Sequence, residues 1–479
     1  MVGIDPHIFV VFGATGDLAR RKLLPAYQSL VVANEMGAGA QFLGIGRQMM
    51  SDEEFRKMIR ESLIEAGVAE ADATVWCDEC VTYCGTEEGF DRVVGKIGEL
   101  ERAKRLSGNR IFYLALPPLA FQGAIESLGD AGLATGPGFS RLVVEKPFGS
   151  DLESAHKLND LVHRYFDESQ IYRIDHYLGK ETVQNLLVFR YANSLFESSW
   201  NRDRVDNVEI TVAEAIGVGH RSLYYDAVGA LRDIVQNHLT QILTLVAMEP
   251  PAVWAPDAIR NEKVKVLRSI EEIRADEVAF GQYEAGTVDG EAVAGYRQER
   301  GVPEDSSTET AAFLRVNIDN WRWQGVPFYL RTGKRFPRRL TQIVVTFRQP
   351  PVFLFERLTD MRKMHSNRLV ITLQPNEGFD LLFDVKAPEE PLRLETLPLS
   401  FTYADTFGNL PSAYETLLSD VLAGDQTLFV RSDEVEESWR LYDPLLADGP
   451  KPFPYAPGTW GPQEAYEQVG RPLTAWLAH

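Results

Sequence analysis

The run HIFVVFG at residues 7–13 is followed at once by ATGDLARRKLLPAYQSL. A short apolar, β-branched run closed by glycine reads as a buried strand, and from Asp17 onward the apolar residues recur at helical spacing. A strand that turns on glycine straight into a helix cannot form a hairpin with its successor. It must reach a parallel neighbour through a crossover, which commits this end of the chain to an α/β arrangement.

Further apolar runs fit the same plan. QFLGIG at 41–46, RIFYLAL at 110–116 and RLVVE at 141–145 read as strands, as does 79–85, and helical stretches separate them. The predicted first domain, 1–175, is therefore a Rossmann-like doubly wound parallel sheet. Beyond it the pattern changes. Helices are predicted at 181–193 and 225–248, and strands at 208–213, 313–318, 342–347 and 369–374, several of them with no helix between. That predicts a larger α+β domain, 176–479, with a mostly antiparallel sheet. The Pro- and Gly-rich stretch 444–462 is predicted to be an ordered extended tail.

The formal charge of −20 argues against a nucleic-acid partner, which calls for a basic face. No signal sequence and no membrane-length apolar run is visible. Three cysteines in so long a chain point to a reducing, cytoplasmic setting. Cys77, Cys80 and Cys84 form CxxCxxxC, but with no fourth cysteine and no histidine close in sequence the spacing favours buried thiols over a metal site.

Gly13, Ala14, Thr15, Gly16, Asp17 and Leu18 make the strand–turn–helix junction. Glycine lets the backbone approach a pyrophosphate closely, and the helix start offers free N–H groups. The pattern is GxxGxxA rather than GxGxxG, so alone it also fits an ordinary turn. The second strand ends in Arg47 where NAD enzymes usually carry an acid for the ribose hydroxyl. An arginine there clamps a 2′-phosphate and favours NADP, or else is simply an exposed strand-end residue. Tyr113 and the Pro117–Pro118 pair end a later strand at the edge of the sheet where a cofactor would lie. Lys146, in EKPFG, follows another strand at that same edge.

RIDHYLGK at 173–180 packs an acid, an imidazole, a phenol and an ammonium together. His176 and Lys180 are four apart, so a helical continuation would put them on one side as an anion cradle. In the predicted helix 225–248, Asp233 and His238 interrupt an apolar stripe of Val228, Leu231, Val235, Leu239 and Ile242. Five residues apart on an α-helix they diverge, lining two sides of a pocket without pairing. For His238 a satisfied core histidine is the competing reading.

Taken together, GATGDLARRKLLPA, NRIFYLALPP, VVEKPFG, RIDHYLGKETVQN, RDIVQNHLTQ, RWQGVPFYLRTGK and the terminal GTWGP resemble the glucose-6-phosphate dehydrogenase family, its bacterial members above all, nearly end to end. The resemblance implies oxidation of glucose 6-phosphate by NADP to 6-phosphoglucono-lactone, the first step of the pentose phosphate pathway. It implies His238 as general base and Asp175 as its orienting carboxylate, with His176, Tyr177 and Lys180 on the phosphate. Glu214 and Asp233 would bond sugar hydroxyls. Lys146 would touch substrate and cofactor, and Lys334 and Arg339 would reach the phosphate. Pro147 matches a position that is often cis. Gln48 after Arg47 matches members that also accept NAD. The uncharged segments before Gln374 and from Leu340 to Val345 imply no second, structural NADP. No metal is implied, and family members are homodimers or homotetramers. A non-enzymatic NADP sensor, or an oxidoreductase for unphosphorylated sugars, would not need the base, its carboxylate and the basic residues together.

Overall fold

The structure, a computed structural model, describes residues 4–34, 36, 39–87, 89–352, 354, 365–388, 393–408 and 410–476, without the side chains of 220, 448, 474 and 475. The first three residues of the expected leaderless start therefore lie outside the described residues.

The chain divides into two compact units. The first holds a six-stranded parallel sheet built from β1 (His7–Phe12), β2 (Ala40–Gly46), β3 (Val81–Gly85), β4 (Arg110–Leu114), β5 (Ser140–Glu145) and β6 (Ile171–Ile174). Their spatial order is β3-β2-β1-β4-β5-β6. β1 is buried along its whole length, as a strand with helices over both faces must be. Because β1 pairs with both β2 and β4, the strand order reverses beside it. That leaves a crevice at the carboxyl ends of β1 and β4, the usual ligand position in such sheets. Crossover helices start on local signals. Ser51 and Glu54 form a reciprocal capping box on Asp52–Glu65, and Asp151 caps Leu152–His163.

The expected break at 175/176 lies near the observed division after Lys180, but the first unit also takes back Val253–Arg260 and Pro411–Glu436. Specific bonds hold the later segment. Arg141 donates to the carbonyls of Val421 and Leu422 at 2.6 and 2.8 Å, Gln426 donates to Ile171 O at 2.9 Å, and Val430 N donates to Arg173 O at 3.1 Å.

The second unit is organised by a nine-stranded sheet. After β7 (Val205–Ala213) and β8 (Val278–Tyr283) comes a small hairpin of β9 (Gly286–Val288) and β10 (Glu291–Val293). β11 (Ala311–Asn317), β12 (Pro327–Gly333), β13 (Leu340–Phe347), β14 (Arg368–Gln374), β15 (Gly378–Lys386), β16 (Leu394–Thr402) and β17 (Phe453–Tyr455) follow. The large sheet runs β16-β15-β14-β13-β7-β12-β11-β8-β17. Only the β12–β7 and β17–β8 pairs are parallel, so the sheet is mostly antiparallel as expected.

A helical rod packs on β7 and β12. It was expected as one helix over 225–248. Instead a short helix, Ser222–Asp226, stops before Gly229, whose φ of +69° no other residue adopts readily, and a new helix starts at Leu231. Leu231–Leu239 has π geometry and continues as the α-helix Thr240–Ala247. Every residue from Ile234 to Met248 is buried. Side chains take up carbonyls along it: Asn237 Nδ2 donates to Arg232 O, Thr240 Oγ1 to Val235 O and Ser438 Oγ to Gln236 O. At its far end, Arg190, Trp200 and Trp323 donate to the carbonyls of Leu245, Val246 and Ala247, which would otherwise be orphaned.

Two further expectations need correction. Glu79 and Cys80 end the helix Glu70–Cys80, and the strand begins only at Val81. The tail from 444 is not extended throughout, because the helix Ser432–Asp448 runs through Pro444. An interior proline costs about 3 kcal/mol; burial of Val435, Trp439, Tyr442 and Leu445 on that helix offsets it.

Candidate functional site

At the carboxyl edge of the parallel sheet, a cavity of about 610 Å³ is lined by Gly13, Thr15, Gly16 and Arg47 together with Phe12, Thr86, Phe90, Pro117 and Ser127. Gly13 has φ +80°, and a Cβ there would lie 2.2 Å from Ala115 O, so the turn closes only on glycine. Gly13 N donates to Ile45 O at 2.9 Å and Gly16 N to Gly13 O at 2.9 Å, which fixes the turn against β2. The helical stretch then opens at Asp17, next to the lining residue Gly16, and a helix start is where free N–H groups suit a pyrophosphate.

Arg47 leaves β2 exposed at this cavity. The residue that steers it was not foreseen. Tyr83 donates its hydroxyl to Gln48 O at 2.7 Å, and a Cβ on Gly46 would meet that hydroxyl at 2.4 Å. Gly46 and Tyr83 thus pin the backbone on either side of Arg47. Phe90 and Phe12 stack with centroids 6.3 Å apart and wall the same cavity. Neither aromatic carries a local motif that would have marked it.

The remaining cofactor candidates lie elsewhere. Ala14 is fully buried, its N–H on Ile45 O at 3.2 Å. Asp17 is exposed, 3.8 Å from Arg21, and Leu18 is half-buried on the first helical turn. Tyr113 is fully buried and is not among the residues lining the cavity. Its hydroxyl donates to Glu145 Oε1 at 2.5 Å. Glu145 ends β5, and Lys146 follows through a cis peptide bond to Pro147. A second cis bond, Gln374–Pro375, had not been foreseen.

Asp175 follows β6 directly. It is buried, and its Oδ1 accepts from Tyr177 N at 3.0 Å. His176 to Lys180 form a turn rather than the helical continuation that would set His176 and Lys180 on one side. Leu178 N donates to Asp175 O and Lys180 N to Tyr177 O, and the helix Glu181–Tyr191 starts only afterwards. The turn still gathers the side chains. The His176 and Tyr177 rings are 4.9 Å apart and Lys180 Nζ stands 5.7 Å over the Tyr177 ring. Gly179 permits this: a Cβ on it would lie 2.5 Å from Ala413 O and 2.8 Å from Leu417 Cγ. Arg173 anchors the base of the turn, donating to Glu168 Oε1 at 2.6 Å and Asn159 Oδ1 at 2.9 Å.

In the second unit, Glu214, Asp233 and Lys334 converge. Lys334 is buried and pairs with the Glu214 carboxylate, with Asp233 Oδ2 at 4.0 Å and the Tyr225 ring at 4.9 Å. Lys334 thus sits with the two carboxylates, whereas Arg339 is exposed with its Nε on Gln374 Oε1 at 3.1 Å and does not join them. The expected divergence of Asp233 and His238 rested on α spacing. A π-helix closes its bonds from i to i+5, so residues five apart lie about one turn above each other. His238 is buried on that helix.

The cysteines behave as buried thiols. Burial pushes Cys77 up to about 12 and Cys80 to about 11, far from a reactive thiolate. Among the described residues, no helix is long and apolar enough to cross a membrane.

Comparisons with known proteins cover the same span. Residues 10–185 match the model described as glucose-6-phosphate dehydrogenase, NAD binding domain, and residues 187–477 match the C-terminal domain of that family. The chain is 43% identical over 480 residues to glucose-6-phosphate 1-dehydrogenase of Aggregatibacter actinomycetemcomitans, covering 98% of this chain and 96% of the relative. It is 42% identical over 485 residues to the protein of that name from Dickeya dadantii, covering 98% and 97%. A solved glucose-6-phosphate dehydrogenase in complex with its substrate glucose-6-phosphate superposes with a TM-score of 0.90 at 36% identity, over 98% of both chains.

Proposed function

The chain belongs to the glucose-6-phosphate dehydrogenase family, and from that membership we propose that it uses the family's reaction through the residues described above. It is a glucose-6-phosphate 1-dehydrogenase: it oxidises C1 of glucose 6-phosphate to 6-phosphoglucono-lactone, the first step of the pentose phosphate pathway. One observation carries the assignment of residues. Glu214, Asp233 and Lys334 converge from a strand end, a π-helix and a loop, far apart in sequence.

Gly13, Gly16 and Arg47 line the cavity that would hold a dinucleotide, which would supply the ring that accepts hydride. Gly13 and Gly16 would hold its pyrophosphate, and Arg47 would clamp a 2′-phosphate, which would select NADP, with NAD as the alternative cofactor. His176, Tyr177 and Lys180 hold the sugar phosphate by charge and hydrogen bonds. Asp233 and Glu214 accept from sugar hydroxyls, and Lys334 holds both carboxylates in place. Arg339 and Lys146 add positive charge at the phosphate and at the reacting end. His238 takes the proton from the C1 hydroxyl as the C1 hydrogen leaves with its electron pair, so the C1–O bond becomes the lactone carbonyl. Asp175 orients the imidazole and stabilises its charged form.

The protein acts in the cytoplasm as a homo-oligomer. Leu397, Leu399 and Phe401 alternate along β16, an edge of the large sheet, with exposures of 46%, 63% and 37%, a row that a second copy would cover. Leu399→Glu should then give a smaller species in sedimentation; an unchanged mass would reject this face.

Reduced-nicotinamide absorbance on mixing the protein with glucose 6-phosphate and NADP tests the reaction itself. Silence with both NADP and NAD would refute it.

A further inference from the structure

Glu309 precedes β11 and lies outside the glycine turn, EKPFG, RIDHYLGK and RDIVQNHLTQ. Its carboxylate lies against the start of the π-helix Leu231–Leu239: Oε1 accepts from Leu231 N at 2.9 Å, and the Glu309 carbonyl accepts from Ala230 N at 3.0 Å. The approach is close enough to require Gly229. A Cβ there would lie 2.3 Å from Oε1 and 2.7 Å from Oε2. An anion at this place satisfies an orphan helix donor and complements the helix dipole. The next residue binds the other side of the sugar site. Thr310 O accepts from Lys334 N at 2.9 Å, and Thr310 Oγ1 shares a hydrogen bond at 3.1 Å with the Tyr455 hydroxyl, which donates to Lys334 O at 2.6 Å.

Two adjacent residues thus tie the helix that carries Asp233 and His238 to the backbone of Lys334. We propose that Glu309 is a positioning residue, a clamp that sets Asp233 against Lys334 and so shapes the site for sugar hydroxyls. The proposal rests on the reading of Asp233 and Lys334 as sugar-site residues. Burial raises the Glu309 carboxyl above the usual range, while Leu231 N–H and Arg232 draw it back. What the Leu231 N–H requires at the helix start is an acceptor oxygen. A glutamine can supply that oxygen.

The test compares Glu309→Ala with Glu309→Gln on the full-length protein. Glu309→Ala should raise KM for glucose 6-phosphate roughly tenfold or more and lower kcat, since the hydrogen bond to Leu231 N and the helix register are lost. The dissociation constant of NADPH, read by its fluorescence, should stay within about twofold, because no cofactor contact depends on the clamp. Glu309→Gln should recover most of the sugar KM. Equal weakening of both ligands, or a sugar KM unchanged by Glu309→Ala, would overturn the proposal. If Glu309→Ala does not fold, Glu309→Asp, one methylene too short to reach Leu231, must show the same split. Asp233→Asn measured alongside separates the two levels. If it leaves the sugar KM untouched, the sugar-site reading itself fails; if it raises that KM while Glu309→Ala does not, only the clamp fails.

Discussion

The hydroxyl of Tyr414 donates to Glu145 Oε1 at 3.1 Å, the same oxygen that accepts from Tyr113. Tyr414 comes from the segment that returns late in the chain to the first unit, and Glu145 is the last residue of β5. Neighbouring strand residues point to opposite faces, so a pinned Glu145 fixes the direction in which Lys146 leaves the strand.

Burial pushes the Glu145 carboxyl above its ordinary value, and the two hydroxyls and Lys146 pull it down. A carboxyl raised in the fold binds more protons folded than unfolded. Its contribution is then fully present below the unfolded value and is lost as pH rises through the folded one. Tyr414→Phe removes one donor, raises Glu145 further and should cost about 1 kcal/mol at neutral pH. Urea unfolding across pH should show the deficit shrinking as pH falls toward the usual carboxylate range. A pH-independent deficit would mean only lost packing.

Replacing His238 by Asn should lower kcat by roughly 10²- to 10⁴-fold, the usual weight of a general base. Glucose 6-phosphate affinity, measured by thermal-shift titration, should change little. Turnover near normal would remove His238 from the chemistry.

Arg47→Ala should weaken NADP binding by about 1.5–3 kcal/mol, the worth of hydrogen bonds to a charged group. NAD binding should move far less. Equal losses for both cofactors would show that Arg47 does not touch a 2′-phosphate.

Gly179→Ala drives a methyl into Ala413 O and Leu417, and one of them must yield. Overpacking of this kind costs about 1–3 kcal/mol. Because the shift falls inside the turn carrying His176 and Lys180, KM for glucose 6-phosphate should rise with the loss of stability. A stability loss alone would place the turn outside the phosphate site.

The parallel sheet was legible because buried strands write themselves as apolar runs between glycine and proline. So was the glycine turn, whose chemistry is local. What stayed hidden depends on distant partners. Hydrogen-bond register within a helix leaves little trace in periodicity, so the π geometry of the helix carrying Asp233 and His238 could not be read from spacing. Pro444 inside a helix and Glu79 before β3 went against local rules that tertiary burial overrode. Tyr83, Phe90, Tyr414 and Glu309 look like ordinary residues until the fold brings each against a backbone, a ring or a carboxylate.

The return of Pro411–Glu436 to the first unit also dictates an order of events during synthesis. Arg173 and the Gly179 turn emerge from the ribosome well before the residues that dock on them. The roughly 230 intervening residues take on the order of ten to fifty seconds at ~5–20 residues per second. Through that interval the nascent parallel sheet carries an uncovered flank, and it closes only when translation is almost finished. A chain halted before Pro411 would lack Tyr414, Gln426 and Val430 and so would hold this sheet without its final wall.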